Sequence, residues 1–220
     1  MRRTVRIGLS CLAALVIATL CLAVPGGGEE PQPTFEQVVE RLNLVNPALK
    51  TLIVEQTAVV HWMGIFHFLL RTTVYAARPA LYKVIVHEAP AILKPLGDTF
   101  YMISSPEQVL ADYRAASIRP GTDDTLIVGL VATKSSVNPP GGTVMIDTRR
   151  WLVQEITLNY QWGQFKAQYH YDDVEGFLLP GTISVSLPRF PLSAELTYTN
   201  YRLNAPIDPA VFAQNPAPSR

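Results

Sequence analysis

Three groups of side chains in this 220-residue chain are of types that could do chemistry. His61 and His67 could bind a transition metal, Asp172, Asp173 and Glu175 could hold a cation or exchange a proton, and Trp62, Trp151 and Trp162 could stack on a ligand. Each group has a plainer reading. The histidines are separated by five residues across an expected turn, so a metal would need ligands from elsewhere. The carboxylates precede Gly176, which makes 172–176 a solvated hairpin turn. The tryptophans suit strand ends and cores. The chain contains no Gly-x-Ser-x-Gly elbow, no glycine-rich phosphate loop and no His-Glu-x-x-His pair. The expectation is a binding protein with no catalytic residues, no metal and no cofactor.

The elements around these residues are mostly strands. From 142 to 201, runs of alternating apolar and polar residues are separated by turn signals, the period of an antiparallel sheet. In 151–160, Leu152, Ile156, Leu158 and Tyr160 share one parity. In 164–171, Phe165, Ala167, Tyr169 and Tyr171 lie opposite Lys166, Gln168 and His170, so one face is wet and the other covered. Residues 182–187 make a further strand, and 192–201 the last, with Leu192, Ala194, Leu196 and Tyr198 aligned. A meander of this length must curl to bury its apolar face.

Upstream, 49–62 and 65–76 read as an N-terminal hairpin reversing near Gly64, with Phe66, Phe68, Leu70 and Val74 on one face. Residues 81–87, 100–104 and 126–132 read as strands, and 119–124 and 138–142 as loops. Two amphipathic helices are expected. The first is capped by Thr34 with Gln37 reaching back, carries Phe35, Val38, Val39, Leu42 and Val45, and is stopped by Pro47. The second starts at Ser105-Pro106 and carries Val109, Leu110, Tyr113 and Ala116. The expected fold is therefore α+β and mainly β, a strongly curved antiparallel sheet whose concave apolar face is covered by short helices.

Residues 1–23 have the basic, then apolar, then small-residue order of a secretory signal peptide, with cleavage expected after Ala23. Cys21 leaves lipidation open, although Leu20 stands where a small side chain is wanted, and an uncleaved membrane anchor is also open. Residues 24–33 read as a linker, 34–213 as one domain and 214–220 as a proline-rich tail. Both cysteines fall in the leader, so the exported chain has no disulfide. Removing Arg2, Arg3 and Arg6 from eighteen basic residues leaves fifteen against eighteen acidic ones, a net charge near minus three. That argues against nucleic acid or an anionic membrane surface as partner.

Several stretches resemble segments of the family of LolA-like periplasmic lipoprotein carriers. They are Ala77-Arg78-Pro79-Ala80-Leu81-Tyr82-Lys83-Val84, then Leu96-Gly97-Asp98-Thr99-Phe100-Tyr101 with Ser104-Ser105-Pro106 after it, the hairpins between 144 and 157, and the closing run Tyr201-Arg202-Leu203-Asn204-Ala205-Pro206-Ile207-Asp208 to Phe212. The resemblance covers roughly 34–212. It implies an unclosed half-barrel around an apolar cavity under a helical lid, in which Arg78 corresponds to the arginine that holds the lid closed. It also implies the partners of a periplasmic carrier: an acylated lipoprotein or other lipid, an inner-membrane release complex and an outer-membrane acceptor, bound by a monomer. At about 0.8 kcal/mol per buried methylene, an acylated passenger needs a shell to cross water. Strand parity selects Phe66, Phe68, Leu70, Phe165, Tyr169, Leu196 and Tyr198 as cavity residues, and a register error of one residue would turn them outward. Two alternatives stay open: an envelope sensor of the same fold that binds a partner protein, and an exported hydrolase.

Overall fold

The computed structural model describes residues 32–78, 81–90, 110 and 112–213. Its first element, α1 (Phe35–Asn43), begins with the expected capping box. Thr34 Oγ1 accepts from the Gln37 N–H at 3.3 Å, and Gln37 Oε1 accepts from the Thr34 N–H at 2.9 Å. Two donors left over at the helix start are thereby satisfied. The helix stops at Asn43, ahead of Pro47, and buries Val38 and Leu42.

Ten strands follow: β1 (Thr51–Trp62), β2 (Phe66–Ala77), β3 (Leu81–Glu88), β4 (Tyr113–Pro120), β5 (Thr125–Ala132), β6 (Gly141–Asp147), β7 (Leu152–Tyr160), β8 (Gly163–Val174), β9 (Phe177–Leu187) and β10 (Leu192–Leu203). A short terminal helix, α2 (Ala210–Ala213), follows them. The strands form one sheet in the order β3-β2-β1-β10-β9-β8-β7-β6-β5-β4, and every pairing is antiparallel. Because β10 returns to pair with β1, the N-terminal hairpin is sewn onto the C-terminal meander. The edge strands β3 and β4 do not meet, so the sheet is an unclosed half-barrel. α2 lies by β3, and α1 reaches β4. Among the described residues, no helix is long and apolar enough to cross a membrane.

The fold is mainly β because alternation runs through nearly every strand. Val54, Ala58 and Val60 of β1, Leu70 and Val74 of β2, Phe165, Ala167 and Tyr169 of β8, Ile183 and Val185 of β9 and Ala194, Leu196 and Tyr198 of β10 are all buried on one face. They join the buried α1 residues in one continuous core. A single sheet can close such a core only by curling onto itself.

Local detail departs from the sequence reading in several places: β4 runs into the expected loop 119–124, β6 begins inside the expected loop 138–142, and β9 begins at Phe177, ahead of the expected 182–187. Tyr113 and Ala116, expected on the second helix, belong to β4, while Ser105, Val109 and the rest of that helix start fall outside the described residues. Ala115 pairs with Leu130 and Ser117 with Gly129, so Ala116 is an inserted bulge residue. The bulge shifts the strand's parity, which lets Tyr113 and Ala116 imitate helical spacing. In β7, Met145 pairs with Glu155 and Ile146 with Val153, so Gln154 is extra and both Leu152 and Val153 are buried. Strict parity had put Val153 on the wet face. The expected turn at 172–176 shrinks to Glu175-Gly176, with φ of 53° and 82°, and Asp172 to Val174 extend β8. Two positive φ values suit the twist of a two-residue hairpin.

Leu196 is fully buried at the centre of β10. Leu196→Ala is expected to lower stability by about 2–5 kcal/mol, read as a fall in the urea midpoint with unchanged slope.

Candidate functional site

β9 and β10 pair only from Leu187↔Leu192 to Thr182↔Thr197. Beyond that point β10 continues along β1 to Leu203, and β9 begins earlier, along β8, at Phe177. The sheet is therefore split between 177–181 and 198–203. Proline chemistry explains part of this, since Pro180 has no N–H to give a ladder. Gly181 is an extra residue in the β8–β9 register, and the side chain of Asp172 occupies the space a Cβ there would need. On the other side, Asn200 has φ 55° and sits where β10 bulges against β1.

Backbone groups left bare by the split are met by side chains. Asn46, in the turn after α1, donates Nδ2 to Leu178 O at 2.8 Å and accepts from the Leu178 N–H at 3.1 Å. Its amide stands in for a missing strand neighbour. Tyr201 donates its hydroxyl to Pro180 O at 2.5 Å. Burial, with Tyr198 and Asp172 nearby, pushes the Tyr201 phenol above its ordinary pKa, so it stays protonated and able to donate.

A cavity of about 460 Å³ lies at this split. Its roof is the end of α1 and the following turn, through Leu42, Val45 and Leu49. Val54, Val74 and Tyr198 line it from β1, β2 and β10, Leu178 and Leu179 from β9, and Leu152 and Val153 from β7. Strands as far apart in the sheet as β2 and β7 share it, which follows from the curl. Behind the wall lies a buried polar relay: Thr72 Oγ1 donates to Gln56 Oε1 at 2.8 Å, and Gln56 Nε2 donates to the Tyr198 hydroxyl at 2.9 Å. These are neighbours on β2, β1 and β10, and together they fix the position of the Tyr198 ring.

Lys50, Arg78 and Trp151 stand at the cavity's margin. The turn carrying Trp151 is held by Asp147, whose carboxylate accepts from the backbone of Arg149 and Arg150 and from Arg150 Nε at 2.8, 3.1 and 3.0 Å. Partial burial of Asp147 opposes its charge, yet these donors outweigh it and hold the carboxyl below its usual pKa. The guanidinium of Arg41 lies 4.5 Å from the centre of the Trp151 ring, a cation–π contact that ties α1 to β7.

The residues selected by parity are spread along the whole concave face. Tyr198 lines this cavity, and Arg78 is exposed at its margin. Leu70, Phe165, Tyr169 and Leu196 are buried in the core outside it. Phe68 is half-buried against that core, and Phe66 is 48% exposed at the tip of the β1–β2 hairpin. Asn46, Leu49, Lys50 and Leu178 were not selected, and their only signal was Pro180-Gly181 inside a strand pattern. His61 and His67 pair directly across β1 and β2 with Nδ1 atoms 2.7 Å apart. Among the described residues no group of three or more His, Cys, Asp or Glu side chains could hold a metal. Asp173 caps the Gly176 N–H at 2.8 Å, a turn role.

A second feature lies at the opposite end of the strands. Trp62, Met63, Ile65 and Phe66 at the β1–β2 tip, Trp162 at the β7–β8 tip and Phe190 at the β9–β10 tip are all exposed. Trp62 and Phe66 have ring centroids 5.8 Å apart, and Trp162 and Phe190 5.6 Å. The Met63 N–H donates to Pro191 O, joining two of the tips.

Comparison with solved structures identifies the fold. The chain matches a LolA superfamily protein from Nitrosomonas europaea with a TM-score of 0.63 at 12% identity, over 83% of this chain and 98% of that one. It matches a domain assigned to outer membrane lipoprotein sorting from Vibrio parahaemolyticus with a TM-score of 0.60 at 11% identity, over 80% and 94%. A DUF1329 family protein from Desulfovibrio piger matches with a TM-score of 0.57 at 11% identity, also over 80% and 94%. No protein-family model and no curated protein matches by sequence. The fold is LolA-like.

Removing the Asn46 amide strands both backbone groups of Leu178. Asn46→Ala is expected to cost about 1–3 kcal/mol, and hydrogen exchange should show the Leu178 amide losing protection ahead of the neighbouring core amides.

Proposed function

We propose that this protein is an exported carrier that holds an acyl chain of a lipoprotein or another lipid in the cavity at the β9–β10 split, for transfer across the periplasm. The observation that carries the reading is the cavity itself, walled by Leu42, Leu49, Val54, Val74, Val153 and Leu179 with Lys50 and Arg78 at its margin. Its volume falls within the roughly 300–1,000 Å³ of ligand sites. A methylene moved from water onto such a wall gains about 0.8 kcal/mol, so the walls favour a hydrocarbon chain over any polar solute. The LolA-like fold, and the lipoprotein-sorting assignment of the Vibrio parahaemolyticus domain, support this direction. Transfer would require an inner-membrane release complex and an outer-membrane acceptor as partners.

Protein purified without detergent should release an acylated species in organic extracts analysed by mass spectrometry, and should take up a fluorescent fatty acid. Ala76 lines the cavity from β2, and Ala76→Trp is expected to fill it and reduce uptake by roughly tenfold while leaving the fold intact by circular dichroism. Uptake unchanged in this variant would remove the cavity from the reading.

The aromatic tips favour a second reading, in which the domain is a sensor that docks a partner protein. Contiguous exposed apolar groups on a folded surface mark interaction sites, and Trp and Phe are common anchors there. In that case Trp62→Ser with Phe190→Ser leaves lipid uptake unchanged and abolishes the protein's action in the envelope. A photo-crosslinker at position 162 then captures one defined protein, and a crosslinker at position 78 does not.

A further inference from the structure

We infer that the margin of the cavity is an anion subsite, so that the preferred ligand is an amphiphile with a negatively charged head directly attached to its acyl chain. This rests on the lipid-binding reading above and narrows it. Lys50 and Arg78 face each other where the β1–β2 ladder ends, with the Arg78 N–H donating to Lys50 O at 2.9 Å. Both continue the parity of Leu52, Val54, Val74 and Ala76, whose side chains line the cavity, and both line it themselves. Among the described residues that line it there is no carboxylate.

Among the described residues Lys50 and Arg78 form no ion pair with a carboxylate, unlike Arg71, Arg149, Arg150 and Lys166. Arg114, Arg119, Lys134, Arg189 and Arg202 form none either, so what sets Lys50 and Arg78 apart is their place on the cavity lining. A third cation, Arg41, stacks on the wall residue Trp151. The Tyr201 phenol stays neutral, its pKa raised by burial and by its neighbours Tyr198 and Asp172, and so adds no competing negative charge. Asp172, the carboxylate beside Tyr201, is exposed, has its side chain against Gly181 and is not part of the lining. The result is two unpaired cations at the rim of an apolar wall. A carboxylate or phosphate there gains charge-assisted hydrogen bonds, and the adjoining wall weakens the competing screening by water.

With the leader removed, the chain's net charge is near minus three, so attraction at long range is absent and selection must occur at contact. A neutral glyceryl head accepts only the weaker hydrogen bonds of an uncharged oxygen and gains no ion pairing. The subsite therefore separates two cargo classes, fatty acids and anionic phospholipids on one side, and uncharged acylglyceryl groups on the other.

Oleate and monoolein have the same tail and differ in head charge, and calorimetric titration of each below its aggregation threshold reads the difference. The full-length protein is expected to bind oleate about tenfold or more tightly than monoolein, a preference that shrinks with added salt. Lys50→Gln with Arg78→Gln should bring oleate down to the monoolein level and leave monoolein unchanged. Both residues are exposed, so folding should survive, and Lys50→Arg with Arg78→Lys should restore the preference. Equal affinities in the wild type, or equal losses for both ligands in the double variant, overturn the subsite and leave the cavity reading standing. Failure of both ligands to bind overturns the cavity reading and the subsite together.

Discussion

The site depends on a backbone problem and its solution. A sheet that wraps its own apolar face must keep every buried peptide group paired, and between 177–181 and 198–203 it does not do so with strands. The Asn46 amide and the Tyr201 hydroxyl take the bare groups of Leu178 and Pro180 instead. Unpaired, such groups would destabilise the split and draw β9 and β10 together. Because they are satisfied from the side, the split can stay open and dry, and a cavity can exist in a core that is otherwise filled. Asn46 also anchors the turn after α1, so the same two hydrogen bonds that keep the split open hold its roof in place.

Polar interior groups are few and directional. The relay from Thr72 through Gln56 to Tyr198 crosses three neighbouring strands beneath the cavity and fixes one of the phenols that line it. Its members are paired to one another, so they impose register on β2, β1 and β10 without exposing an unmet polar group to the cavity. The Asp147 turn plays a comparable part at the margin, holding the turn that carries Trp151, on whose ring Arg41 of α1 stacks. The two ends of the strands differ in character: cations and hydrogen-bonding side chains gather around the cavity, and bare aromatic tips occupy the far end. A ligand and a macromolecular partner could thus use different ends of one domain.

The fold class was readable from residue order because it follows from local pattern. Alternation with period two, interrupted by Gly and Pro, specifies a run of antiparallel strands, and an apolar parity on each of them requires curvature. The capping residues Thr34 and Gln37 likewise announced α1 within a few positions. These signals depend only on neighbours in sequence. Bulges do not: the one at Ala116 gave a strand the spacing of a helix, and the one at Gln154 buried Val153 beside Leu152.

What the sequence by itself determined was therefore which side of each strand without a bulge faces the core. Where along that face the core leaves a cavity was decided only by the tertiary structure. Phe165, Leu196 and Tyr198 carry equivalent alternation signals, yet the first two are buried away from the cavity and the third lines it. Void space is a property of three-dimensional packing among residues distant in sequence. Asn46 meets Leu178 across 132 residues, and no local periodicity contains that contact. The pairing of Lys50 with Arg78 has the same origin. Lys50 carries no signal in the sequence and Arg78 stands out there only through a family resemblance, and the register of β1 against β2 sets them side by side at the cavity's rim.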